Sequence, residues 1–168
     1  MNIELFIRCK ANLNILIDIG SMNKKSSPYF EITDAFDIVR VTINGFTKKS
    51  TKVNNGKGWL DIEITVRGCT LGGSYHAEFL PISFHSFRQQ LVSLMYGLDK
   101  TAVFDGVMGY LKLEFEVKHE GFAEIKVKAC DVPGIGAELT FKMNIQLIDI
   151  NELVLQLDSI LSRYPLLN

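Results

Sequence analysis

The sequence predicts an α+β fold, an antiparallel β-sheet meander with two amphipathic helices packed on it. Two observations carry this. Several segments alternate apolar and polar residues with a period of two, and two others repeat apolar residues at spacings of three and four. A half-buried strand sends successive side chains to opposite faces, whereas a helix with one buried face repeats at the helical period. One apolar and one solvated face per strand is the pattern of antiparallel sheets.

Along the chain, 3–9 and 13–19 are apolar enough for strands but do not alternate cleanly, so residues 1–35 read as an N-terminal extension with no assigned role. The β-branched segment 36–43 predicts a strand. The polar, Lys-rich and Gly-containing run 44–58 predicts the loop that leads to Trp59. In 59–67, Leu60, Ile62, Ile64 and Val66 oppose Asp61, Glu63, Thr65 and Arg67. Residues 69–79 predict a further strand, in which Gly72 and Gly73 signal a bulge or bend.

The first helical stretch opens at Ser83, an N-cap residue type just after Pro81. Phe84, Phe87, Leu91, Leu94 and Leu98 form its apolar stripe, and Gly97 closes it. Alternation returns in 110–118, with Leu111, Leu113, Phe115 and Val117 against Lys112, Glu114, Glu116 and Lys118. It continues in 123–129, where Ala123, Ile125 and Val127 oppose Glu124, Lys126 and Lys128; His119 to Gly121 is short enough for a hairpin. After the turn residues Pro133, Gly134 and Gly136, segment 137–147 sets Leu139, Phe141, Met143, Ile145 and Leu147 against Thr140, Lys142, Asn144 and Gln146. Asp149 and Glu152 have the spacing of a capping box and open a helix through Ser162, with Leu153, Leu157, Ile160 and Leu161 as its stripe. Both stripes are expected against the apolar side of the sheet.

With 168 residues, the chain is expected to form a single domain, 1–168. A chain of that size buries roughly two thirds of the surface it exposes when unfolded, so it needs no metal or disulfide to fold. Apolar residues make up 47% and charged residues 22%, which excludes disorder by composition. A formal charge of −1 provides no field to draw the protein onto nucleic acid or an anionic membrane. Cys9, Cys69 and Cys130 lie far apart without CxxC spacing and read as reduced core thiols. The N-terminus carries Glu4, Arg8, Lys10 and Asp18, so it lacks the apolar run of a signal peptide or membrane span, and a cytoplasmic location is expected.

Chemistry leaves little trace. His76, His85 and His119 never pair at metal-binding spacing, and no cysteine lies near them in sequence, so each reads as a surface or structural residue. Asp131 follows Cys130, but adjacency does not supply a nucleophile with its base. The glycines at 72, 73, 134 and 136 match no phosphate-loop pattern and fit turns or bulges. Lys24 with Lys25, and Lys48 with Lys49, read as solvated loop residues in the absence of interleaved aromatics. Phe84, Phe87, Phe115 and Phe141 belong to the buried stripes. Trp59, on the parity of the polar face, either caps the sheet edge or offers a partner an aromatic anchor. No catalytic residue, metal ligand or cofactor site is identified. Binding is expected, not catalysis.

The order of features has a family likeness. Gly58-Trp59-Leu60-Asp61-Ile62-Glu63-Ile64 is followed by a glycine-interrupted strand and by a helix built on Phe87, Leu91 and Leu94 that ends near Gly97. Then come Leu111-Lys112-Leu113-Glu114-Phe115, a strand preceded by Gly121, and a last strand running into Asp149-Ile150-Asn151-Glu152-Leu153 and ending Tyr164-Pro165. Over 36–168 this order resembles the WapI family of bacterial immunity proteins. The resemblance implies a non-enzymatic cytoplasmic protein whose partner is a cognate toxin domain, which it binds and neutralises by occlusion, with no nucleic acid or membrane partner. It leaves the partner-binding residues and the oligomeric state unassigned. A small ligand-binding or scaffold module, using the concave side of the sheet, is the alternative; a deep apolar pocket with convergent polar groups would favour it.

Overall fold

The computed structural model describes residues 26–47, 58–119 and 121–166, with the backbone alone for His119. The expected strands 3–9 and 13–19, Cys9, the two lysine pairs and the side chain of His119 lie outside the described residues.

The fold is α+β, with two antiparallel four-stranded sheets where the sequence suggested one. β1 (Tyr29–Asp34), β2 (Asp37–Phe46), β3 (Leu60–Gly68) and β4 (Leu71–Phe79) form the first in sequence order. Helix α1 (Pro81–Met95) leads to β5 (Thr101–Asp105), β6 (Leu111–His119), β7 (Phe122–Cys130) and β8 (Glu138–Gln146), which form the second. Helix α2 (Ile150–Arg163) follows β8. Each sheet is a meander, with every strand paired antiparallel to its neighbours in the chain.

Alternation places the buried side chains as the sequence indicates. Leu60, Ile62, Ile64 and Val66 on β3, Leu111, Leu113 and Phe115 on β6, and Ala123, Ile125 and Val127 on β7 are all buried. The inner faces of both sheets and the stripes of both helices belong to one contiguous apolar cluster. Six phenylalanines occupy its centre. Phe104 on β5 is the hub: its ring centroid lies 5.4 Å from Phe30, 5.2 Å from Phe79, 5.4 Å from Phe84 and 5.2 Å from Phe87. Phe30 and Phe79 come from the first sheet and Phe84 and Phe87 from α1, so this one residue joins three elements. The helix stripes enter the shared core beside the edge strands, α1 along β5 and α2 along β1, and the helices also pack on each other. Arg88 of α1 donates to both carboxylate oxygens of Asp158 on α2, at 2.9 and 3.2 Å.

Several local expectations change. Helix α1 begins two residues before Ser83, because Pro81 has its φ preset for a first helical turn; Leu80 is the extended cap residue and makes no side-chain cap bond. Its end is as read. Gly97 adopts φ +67 and donates to the Leu94 carbonyl, while Leu98 donates to Ser93, the paired bonds of a Schellman stop. That stop turns Leu98 out of the stripe, and it is 75% exposed. Helix α2 begins at Ile150 as expected, but Asp149 does not cap it. A 3-10 turn (Leu147–Asp149) runs straight into the helix and holds Asp149 in helical backbone, and Glu152 accepts from Gln156 instead.

Gly72 and Gly73 make neither bulge nor bend: they pair in continuous register with Arg67 and Val66. The register shifts fall instead between Ile43 and Gly45 and between Val117 and His119. Cys130 is buried as expected, but Cys69 is exposed, since it is the first residue of the two-residue β3–β4 turn and takes φ 53 there.

Candidate functional site

Among the described residues, two solvated sheet faces, a cleft between the sheets and a set of exposed apolar residues are among the surfaces on which function can rest. The outer face of the second sheet is a lattice of alternating charge. Lys112 pairs with Glu114 at 2.7 Å, Lys118 with Glu116 at 2.5 Å, Lys128 with Glu138 at 2.9 Å and Lys142 with Glu124 at 3.2 Å. The hydrogen bond from each lysine partner holds the Glu114 and Glu116 carboxyls below the usual range and raises Lys112 and Lys118. These pairs are solvated and each contributes little to stability. The face is self-neutralised and has no dominant sign.

The outer face of the first sheet is more acidic where β3 meets β4. Asp61 lies directly across from Glu78, and Glu63 across from His76. His76 Nδ1 approaches Asp61 at 3.4 Å. On β1 and β2 the charge is balanced, with Arg40 2.7 Å from Glu31 and 4.6 Å above the Tyr29 ring.

The cleft opens where the start of β4 faces the β7–β8 turn, and its volume is ≈ 360 Å³. Val66, Leu71, Gly73 and Tyr75 line one wall, and Ala129 and Leu139 the other, with Asp131 and Glu138 at the rim. Apolar lining and a polar rim suit an inserted side chain. Glycine makes the space. Gly73 stands opposite Val66, hence on the core-side face of β4, and a Cβ built there meets nothing within 4 Å. A Cβ on Gly72 would come within 2.5 Å of the Val66 carbonyl oxygen. Tyr75 is fixed in the wall by donating its hydroxyl to the Tyr110 carbonyl at 2.7 Å, and burial pushes its phenol well above the usual range. Exposed apolar residues adjoin it: Leu71 in the cleft wall, and Val132 and Ile135 in the β7–β8 turn.

The residues singled out in the sequence are dispersed. His76 is exposed on β4 and His85 half-buried on α1. Asp131 does not act with Cys130; its Oδ1 accepts from the Ala137 amide at 2.8 Å and closes the β7–β8 turn. Gly134, at φ +91, serves the same turn. Trp59 is half-buried just before β3, and its carbonyl accepts from the Thr47 amide at 2.8 Å. Among the described residues, no group of three or more His, Cys, Asp and Glu is placed to hold a metal ion, and no helix is long and apolar enough to cross a membrane. The cleft was missed in the sequence. Paired glycines inside a strand also signal close approach by another molecule, and that reading would have found it.

Among protein-family models, that of the immunity protein WapI-like family matches residues 30–165. The matched region begins with β1, six residues before the start suggested by the motifs alone. A search of curated proteins finds no match.

Proposed function

The chain belongs to the WapI-like immunity protein family, and from that membership we propose that it binds one cognate toxin domain and neutralises it by occluding the toxin's functional surface. The family match across 30–165 is the observation that carries this reading. The surface geometry supports it: the cleft is open to solvent and lies beside exposed apolar turn residues, a form suited to a protein partner. Occlusion needs no reactive group on the immunity protein. Affinity comes from a few desolvated anchors, and specificity from groups that only the right partner satisfies.

The test is co-purification of the tagged protein with the C-terminal domain of a large secreted protein encoded beside its gene, combined with growth of cells that express that domain. A stable complex and restored growth are expected. A toxin domain that neither binds nor is relieved by the protein overturns the reading.

A further inference from the structure

An open sheet edge is a template for another strand, and proteins that do not use an edge block it. Among the described residues, three of the four sheet edges are blocked by side chains. On β5, Gln90 of α1 accepts from the Val103 amide at 2.9 Å and donates to the Val103 carbonyl at 3.3 Å. On β1, Gln156 of α2 accepts from the Glu31 amide at 2.8 Å. On β8, the Asp34 carboxylate accepts from the Asn144 amide at 2.7 Å. The fourth edge is β4. Among the described residues no side chain bonds to its backbone; Ser74, Tyr75 and His76 make their bonds through side chains directed elsewhere.

The open edge coincides with the cleft. Gly72 must stay small because the Val66 carbonyl lies against it, whereas Gly73 has room for a side chain and lacks one, so the cleft stays open along the edge. Carboxylates follow the edge away from the cleft. Asp61, Glu63 and Glu78 lie on the outer face of β3 and β4 towards the end of β4, and Asp131 lines the cleft. Of the nearby cations, Lys128 is paired with Glu138 and Arg67 donates to the Phe36 carbonyl.

We propose that the toxin domain docks on the outer edge of β4 by adding an extended, Lys- or Arg-bearing strand to the first sheet and placing one apolar side chain in the cleft over Gly73. The proposal rests on the immunity reading. A backbone-paired strand gains hydrogen bonds along the edge, and its alternate side chains meet the acidic face and the apolar cleft in turn. A second copy of this chain would bring Glu78 and its neighbouring carboxylates onto a face that is already acidic, so self-pairing is the disfavoured occupant.

Gly73→Trp fills the cleft, and Gly73→Val adds a smaller side chain at a site where strand propensity favours it over glycine. Both are to be titrated against the toxin domain encoded beside the gene, with amide hydrogen exchange followed over residues 72–78. The expected result is full-strength binding by the parent protein, slowed exchange along β4 in the complex, an affinity loss of about 100-fold or more for Gly73→Trp, and urea midpoints no lower than the parent's. If the parent binds while both variants bind within about threefold of it, or β4 amides exchange equally fast in the complex, the docking proposal is overturned and the immunity reading stands. If the parent itself neither binds nor protects, the immunity reading falls and takes this proposal with it.

Discussion

Replacing Phe104 by alanine probes whether the two sheets share a core. The ring is fully buried and stacks on Phe79 at 5.2 Å, with an interplanar angle of 5°, while three further phenylalanines surround it. Truncating a buried phenylalanine costs about 3–5 kcal/mol. With a urea dependence of about 2 kcal/mol per molar, the midpoint should fall by about 2 M, a large share of a typical domain's stability. A double-mutant cycle on Phe79→Leu and Phe104→Leu isolates the contact between sheets, and a stacked pair should couple by about 0.5–1.5 kcal/mol. The assay is urea unfolding followed by circular dichroism on the four proteins of the cycle and on Phe104→Ala. A cost below about 1 kcal/mol for the alanine variant, against the figure for a core phenylalanine, or additive leucine variants, would refute the shared core at this point.

Other perturbations separate structural roles. Gln90→Ala removes both bonds to Val103 and should cost about 1–2 kcal/mol, with faster hydrogen exchange at the Val103 amide; unchanged exchange would show that Gln90 does not guard that edge. Tyr75 has its phenol raised from the ordinary 10.0, chiefly by burial. Its stabilising contribution is therefore present below the unfolded value and is lost as pH rises past it. Phenolate absorbance should show one of the five tyrosines lagging until the protein unfolds in alkali, and Tyr75→Phe should abolish the lag. Arg88→Ala breaks the α1–α2 ion pair, but both partners are more than a third exposed, so a loss below about 1 kcal/mol is expected, measurable as a small shift in thermal midpoint.

Much of the fold was legible because the buried pattern of a half-buried strand repeats at every second residue. β2, β3, β6, β7 and β8 each show it, and the stop at Gly97 was signalled by the one residue type that takes a left-handed backbone freely. Two strands escaped. β1 and β5 are short edge strands, six and five residues long, and too brief to establish a period. β5 carries only two buried positions, Ala102 and Phe104, yet the second is the hub of the core. Its missing signal also hid the division into two sheets, since the pattern assigns no element to the strand that opens the second sheet. The capping residues failed for a different reason: Ser83 and Asp149 have the right chemistry, but Pro81 and the 3-10 turn fix the backbone before either side chain can act. The candidate site was the least legible part, because an empty space beside Gly73 is a relation between two sheets and no single segment encodes it.

The guarding of β1 has a consequence for the order of events in biosynthesis. Within each meander, neighbours in the sheet are neighbours in the chain, so both can zip up from local hairpins at small loop-closure cost. The bond that covers β1 is of another kind: the Glu31 amide meets the Gln156 side chain across 125 residues. A chain emerging from the ribosome therefore carries the β1 edge bare until Gln156 of α2 has been made. Truncation within α2 leaves that edge permanently exposed, and the truncated product is a substrate for edge-to-edge association well before it is an unfolded chain.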